Sequence, residues 1–280
     1  MSADWLEIRQ GAAPLVVSFP HTGTDIPAEL EDRFVSPWLA RKDADWWIDQ
    51  LYGFASDLGA TTVRTRILRS IIDVNRDPSG ASLYPGQATT ELCPTTTFDG
   101  EPLYRAGREP DQAEIDRRRE TWFAPYHAAL DEELATLRAA HGRVVLYEAH
   151  SIRSAIPRLF EGELPQFNLG TNTGASCDPA LTRAVEAACD TTGWSRATNG
   201  RFKGGWTTRR CGRPAEGVHA IQMELACRGY IDEPPETPTP DNWPTPYRPD
   251  RAGPMRAALT DVLKACLAFA RATPSEQDRP

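Results

Sequence analysis

Lysine is nearly absent from this chain of 280 residues: Lys42, Lys203 and Lys264 are the only ones among 31 basic residues, and the rest are Arg. Arg takes a carboxylate with a planar two-pronged fork, so such a cation set suits acidic small molecules. Long apolar runs are missing as well. None approaches the ~20 residues that a membrane-spanning helix needs. The first ten residues, MSADWLEIRQ, have no basic head and no apolar stretch. No secretory leader is therefore expected, and the chain reads as cytoplasmic. Excess positive charge is lacking too. At a net charge of −8 the chain is a poor general nucleic-acid binder. Cysteine pairs are absent: Cys93, Cys177, Cys189, Cys211, Cys227 and Cys266 are scattered without a C-x-x-C spacing. They read as reduced thiols, not as a disulfide framework or a thiolate zinc site. The Gly-rich basic stretch GRFKGGWTTRR lacks the residue order of a phosphate loop, which argues against nucleotide triphosphates. Neither G-x-S-x-G nor H-E-x-x-H occurs.

What is present is an ordinary globular mixture, with 40% hydrophobic and 25% charged residues, long enough for one sizeable core. No repeat or low-complexity tract interrupts it. The one compositional break is EPPETPTPDNWPTPYRP at 233–249, whose seven prolines forbid a helix or a central strand. It reads as a surface segment leading into a last helix, so 1–280 is taken as a single domain.

Strand and helix signals alternate along the rest. Pro14–Phe19, Thr61–Arg64, Ser70–Val74, Arg143–Ala149 and His219–Leu225 read as strands. Asp45–Leu58, closed by Gly59, reads as an amphipathic helix. Gln112–His141 carries apolar residues at helical spacing, and Pro125 is expected to kink or split it. Asp178 and Pro179 supply an N-cap and first-turn proline for a helix to about Asp190. Gly253–Ala272 closes the chain as a helix with Met255, Leu259, Val262, Cys266 and Phe269 on one face. This alternation predicts an α/β sandwich with helices on both faces of a largely parallel sheet.

Ligands gather at the carboxyl ends of strands in such sheets. Two of the five His stand there: His21 in VVSFPHTG and His150 in VVLYEAHS. Neutral imidazole is a good zinc ligand, and a catalytic zinc takes three protein ligands. Asp45, Asp43 and Asp25 compete for the third place, with Glu148 ranked lower. Asp45 also reads as an acid at a helix start, favoured there by the dipole. Glu224 sits between apolar neighbours in IQMELA, where a lone acid is costly unless it is ion-paired or functional. It is either the partner of an Arg or a general base beside a metal-bound water. Asn75 and Arg76 follow an apolar run directly. Arg69, Arg153, Arg201, Lys203 and Arg209 add positive charge in polar, Gly-rich segments.

The segments SFPHTGTDIP, DADWWIDQLY, IIDVNR, LYPG, TTTFDGEPLY, EAHSIRSAIPRLFEGELPQFNLGT, NGRFKGG and HAIQMELA follow one another in an order that resembles the N-formylglutamate amidohydrolase family, over roughly residues 14 to 230. The resemblance implies a three-layer α/β/α sandwich with a mixed, largely parallel sheet, phosphorylase/hydrolase-like and similar to the zinc carboxypeptidases. It implies metal-dependent hydrolysis of N-formyl-L-glutamate to formate and L-glutamate, the end of one route of histidine breakdown. It implies His21, Asp45 and His150 as ligands of a divalent metal ion, zinc by preference. Glu224 then looks like the catalytic carboxylate, and Arg69 like the catalytic cation that holds the oxyanion. Asn75 and Arg76 look like the grip on a substrate carboxylate, with Arg69, Arg153 and Arg209 as further contacts. The residue three after His21 is Thr24, so the short H-x-x-E of zinc carboxypeptidases is absent and the third ligand comes from elsewhere. His127 belongs to the same likeness, as a packing or site-facing residue. His141 and His219 read as ordinary surface or packing residues. An N-acyl amino acid deacylase or carboxypeptidase-like hydrolase on the same scaffold is the alternative. A non-catalytic binder of an acidic metabolite is the alternative of another class. The expected partner is a small molecule, with no nucleic acid and no membrane.

Overall fold

Three apolar stretches, LVVSF, VVLYEAHSI and VHAIQMELA, are buried along their whole length and form the middle of a sheet. The structure, a computed structural model, describes residues 4–81, 86 and 89–272. Of the LYPG segment, residues 83–85 therefore lie outside the described residues. The seven strands are β1 (Leu6–Arg9), β2 (Leu15–Phe19), β3 (Thr61–Thr65), β4 (Val144–Ile152), β5 (Phe167–Gly170), β6 (Arg196–Thr198) and β7 (Val218–Ala226). They lie in the order β1-β3-β2-β4-β7-β5-β6. The run β3-β2-β4-β7 is parallel, while β1 and β5 are antiparallel to their inner neighbours. This is the mixed, largely parallel sheet expected from the sequence.

The helices are α1 (Ala28–Glu31), α2 (Pro37–Arg41), α3 (Ile48–Leu51), α4 (Gln112–Arg118), α5 (Ala124–His141), α6 (Pro179–Asp190), α7 (Trp206–Cys211) and α8 (Pro249–Arg271). Successive residues of a strand face opposite sides, so each central strand feeds two cores. Odd-numbered Val145, Tyr147, Ile221 and Met223 pack with Leu181 and Val185 of α6 and with Leu259, Val262 and Cys266 of α8. Even-numbered Val144, Leu146, Val218 and Ala220 pack with Tyr126, Leu130 and Leu134 of α5 and Cys211 of α7. The sheet is thus sandwiched between two helical layers. Full burial of each such aliphatic side chain contributes roughly 1.5–3 kcal/mol. All six cysteines are free and buried. No described helix is long and apolar enough to cross a membrane.

Several boundaries differ from the sequence expectations, each for a local reason. Ser70–Val74 is not a strand. Leu68 closes a turn on the Ile71 amide, Asp73 N donates to Leu92 O, and Ile71, Ile72 and Val74 are buried under the α5 layer. The helix expected from Asp45 starts only at Ile48, because Trp47 takes a left-handed conformation (φ 65°). It continues beyond Tyr52 as a 3-10 turn, Gly53–Leu58. Asp45 is therefore not a first-turn acid. The stretch Gln112–His141 is divided, as expected, into α4 and α5, with Pro125 in the first turn of α5. A π-helical turn, Arg119–Phe123, precedes it and accommodates the missing N–H. The last helix begins at Pro249, earlier than Gly253. Strands β1, β5 and β6 have only three or four residues each and carry no pattern long enough to read.

Candidate active site

On the even face of β4 and β7 the side chains change character two steps before the strands end. Val144 and Leu146 give way to Glu148 and His150, and Val218 and Ala220 give way to Gln222 and Glu224. Parallel register sets Glu148 beside Gln222 and His150 beside Glu224. The core layer becomes the floor of a cleft. His21, just past β2, and the loop Arg69–Arg76 beyond β3 supply further walls. Gly205, before α7, closes down on this floor. A Cβ there would collide with the Asn75 amide and push it out of place.

His21, Asp45 and His150 meet at this point. Each offers one donor atom, and the three atoms lie within 4.8 Å of one another. The His21 ring donates Nε2–H to Asp73 Oδ1 at 2.6 Å, which leaves Nδ1 as a lone-pair donor. That Nδ1 is buried without a hydrogen-bond partner and stands 3.7 Å from Asp45 Oδ2. His150 Nδ1 lies 3.1 Å from the same oxygen, which the Ser151 amide also reaches at 3.1 Å. Asn75 Nδ2 contacts His150 Nε2 at 3.1 Å, and Asn75 Oδ1 accepts from Thr207 N at 2.9 Å.

The electrostatics fit a cation. Burial, with the charge of Arg69, lowers His21 to about 4, so its ring is neutral and ready to ligate. Burial would lower His150 too. The hydrogen bond that His150 Nδ1–H donates to Asp45 and the charges of Glu224 and Asp45 outweigh it and raise His150 to about 8. Burial pushes Asp45 up, but His21 and His150 hold it below the usual carboxylate range. Two imidazoles and a carboxylate form a donor set that attracts positive charge and could hold a divalent metal ion. The competing acids lie elsewhere. Asp43 accepts from Phe98 N, and Asp25 pairs with Arg66.

Glu224 lines the same cleft, and its Oε2 accepts from Gln222 Nε2 at 3.3 Å. Burial pushes its carboxyl up to about 7. Arg69 is held by Asp73 Oδ2 at 2.9 Å and Asp45 Oδ1 at 3.4 Å, with the Phe98 ring 4.9 Å from its guanidinium carbon. Arg69, Asn75 and Arg76 all line the cleft. Arg153 and Arg209 do not. Arg153 binds Asp99 at 2.6 Å and, with Lys42, ties down the loop that carries Phe98. Arg209 turns back onto Gly204 O at 2.9 Å. His127 donates to Val74 O, His219 accepts from Asp178 N, and His141 bonds Ala12 O, all away from the cleft floor.

Asp73 is absent from the set derived from sequence, yet it is fully buried and orients His21. Burial opposes its charge, but Arg76, His21 and Arg69 hold it well below the usual carboxylate range. The signal that singles out Glu224, an acid inside an apolar run, applies equally to Asp73 in SIIDV. Carboxylates in this position fix ring orientation and raise ligand basicity. Asp73→Asn is expected to weaken divalent-metal affinity about 10–100-fold, as read by competition with a chromophoric chelator. An unchanged affinity would show that Asp73 only packs.

Comparison with known proteins identifies the family. Residues 13–231 match the family described as N-formylglutamate amidohydrolase. The N-formylglutamate deformylase of Pseudomonas aeruginosa is 45% identical over 267 residues, covering 95% of this chain and 97% of that protein. The deformylase of Pseudomonas putida is 45% identical over 265 residues, covering 94% and 96%. The crystal structure of N-formylglutamate amidohydrolase from Ralstonia eutropha JMP134 superposes with a TM-score of 0.70 at 27% identity, covering 95% of this chain and 96% of that one. A gene product of Agrobacterium tumefaciens, 16% identical, shares the fold with a TM-score of 0.69. With a match of this extent, and a buried His-Asp-His cluster beside a carboxylate, the chain belongs to the N-formylglutamate amidohydrolase family.

Proposed function

We propose that this chain is a single-domain, metal-dependent hydrolase that converts N-formyl-L-glutamate and water to formate and L-glutamate. The observation that carries the reading is the meeting of His21, Asp45 and His150 with Glu224 in register beside His150. The 45% identity to two N-formylglutamate deformylases supports the substrate. Such a reaction would close a route of histidine breakdown in the cytoplasm.

His21, Asp45 and His150 would hold the ion, with zinc favoured by two imidazoles and one carboxylate. When bound, it supplies Lewis acidity toward the formyl oxygen and acidifies water. The chain's own groups do the rest. Glu224 takes a proton from the attacking water as the new C–O bond forms at the formyl carbon. It returns that proton to the amine nitrogen as the C–N bond breaks. Arg69, fixed by two aspartates and the Phe98 ring, faces the negative charge that develops on the formyl oxygen. Arg76, with Asn75 at the same wall, takes the substrate's α-carboxylate.

The direct test is formate release from N-formyl-L-glutamate by protein depleted of metal with a chelator. Release is expected to stop and to return on adding zinc. Undiminished release by demetallated protein would overturn the metal dependence. Faster turnover of N-acetyl-L-glutamate or of peptides would overturn the substrate.

A further inference from the structure

The proposed substrate carries two carboxylates, and this inference rests on that reading. Among the described residues three guanidinium groups line the cleft: Arg69, Arg76 and Arg201. Arg69 and Arg76 come from one loop. Arg69 is committed to Asp73 and Asp45. Arg76 stands 3.7 Å from Asp73 and bonds Thr90 through Nε and Nη2, each at 3.1 Å. Both cations thus belong to the end of the cleft where the His-Asp-His cluster lies.

Arg201 enters from a different part of the chain, the segment between β6 and α7. Its Nε donates to Leu159 O at 3.0 Å, and its guanidinium carbon lies 5.3 Å from the centre of the Phe202 ring. The two restraints fix the plane of the fork. Leu159 and Phe202 line the cleft alongside it. An apolar flank ending at a guanidinium is the complement of two methylenes ending in a carboxylate.

We propose that Arg201 binds the side-chain carboxylate of the N-formyl amino acid and thereby makes the site selective for an acidic side chain. The metal end then handles the formamide and the α-carboxylate, which every N-formyl amino acid has. Arg201 handles the group that sets glutamate apart.

The test compares wild type, Arg201→Met and Arg201→Lys on N-formyl-L-glutamate and N-formyl-L-glutamine, which differ little in shape and by one charge. Wild type is expected to favour the glutamate substrate. In Arg201→Met the ratio of kcat/KM for the two substrates is expected to fall about 100-fold, mostly through KM for the glutamate substrate. Arg201→Lys keeps the charge without the fork and should recover part of the ratio. Metal content is measured on each variant to establish that the site is intact. An unchanged ratio in Arg201→Met overturns the proposal, and so does an equal loss on both substrates. Wild-type protein inert toward both substrates would instead bring down the substrate reading itself, and this assignment with it.

Discussion

Glu224→Gln is expected to keep its metal and to lose about 10²–10⁴-fold in kcat. Gln has nearly the same shape, and residue 224 sits on a fully buried strand, so the fold and the ligand cluster should persist. What disappears is the only carboxylate among the described cleft residues that lies in register beside a candidate ligand. The pH profile carries the same assignment. Burial raises Glu224 above the ordinary glutamate value, to about 7. A proton acceptor must be ionised, so kcat/KM should rise with pH as Glu224 deprotonates and fall below that range. A divalent cation next to it favours the ionised form and moves this limb to lower pH. In the variant the limb attributable to Glu224 should vanish. Steady-state formate release across pH, with metal analysis of the same samples, measures both effects. A variant with near wild-type kcat would remove Glu224 from the role of base.

His150→Ala is expected to abolish stoichiometric metal binding, and turnover with it. One of three donors is lost from a cluster whose atoms lie within 4.8 Å. Zinc binding free energies for structural protein sites are of order 10 kcal/mol, so losing one of three ligands should weaken affinity by about 10²–10³-fold. Asp45 keeps the Ser151 amide and Arg69 as partners, so the loop before α3 should hold its place. Dialysis followed by elemental analysis reads the outcome. Zinc retained at one equivalent would exclude His150 as a ligand. The contrast with Asp73→Asn is informative, since a residue that only orients a ligand should weaken binding and not eliminate it.

The middle of the sheet was legible because β2, β4 and β7 are long enough to show a buried apolar pattern. The strand-end histidines were legible for the same reason: once the strand is located, so is its end. His150 proves to lie inside β4, which runs on to Ile152, but the face it occupies is the one the pattern gives. Asp45 could not be separated from Asp43 by sequence. The difference is set by Trp47, a non-glycine residue at φ 65°, which delays α3 and turns the preceding backbone so that Asp45 N reaches His21 O at 2.9 Å. No residue preference announces a left-handed tryptophan. The apolar run Ile71–Val74 mimics a strand because burial alone decides its composition, and a buried turn is as dry as a strand. The positive charges were countable but could not be located. Arg153 and Arg209 have the same composition signal as Arg69 and Arg201, and only tertiary contacts send the former to Asp99 and Gly204.

The switch along the even face of β4 and β7 makes chain length in these two strands unforgiving. One codon inserted between Ala220 and Glu224 would rotate the acid into the oily layer under α6 and α8 and drop a hydrocarbon into the reaction chamber. Two inserted codons would restore the facing but carry the carboxylate roughly 6–7 Å along the strand, out of reach of its substrate. Drift in length is thus confined to the connections, and the two neighbouring strands work as a fixed gauge that spaces the chemistry.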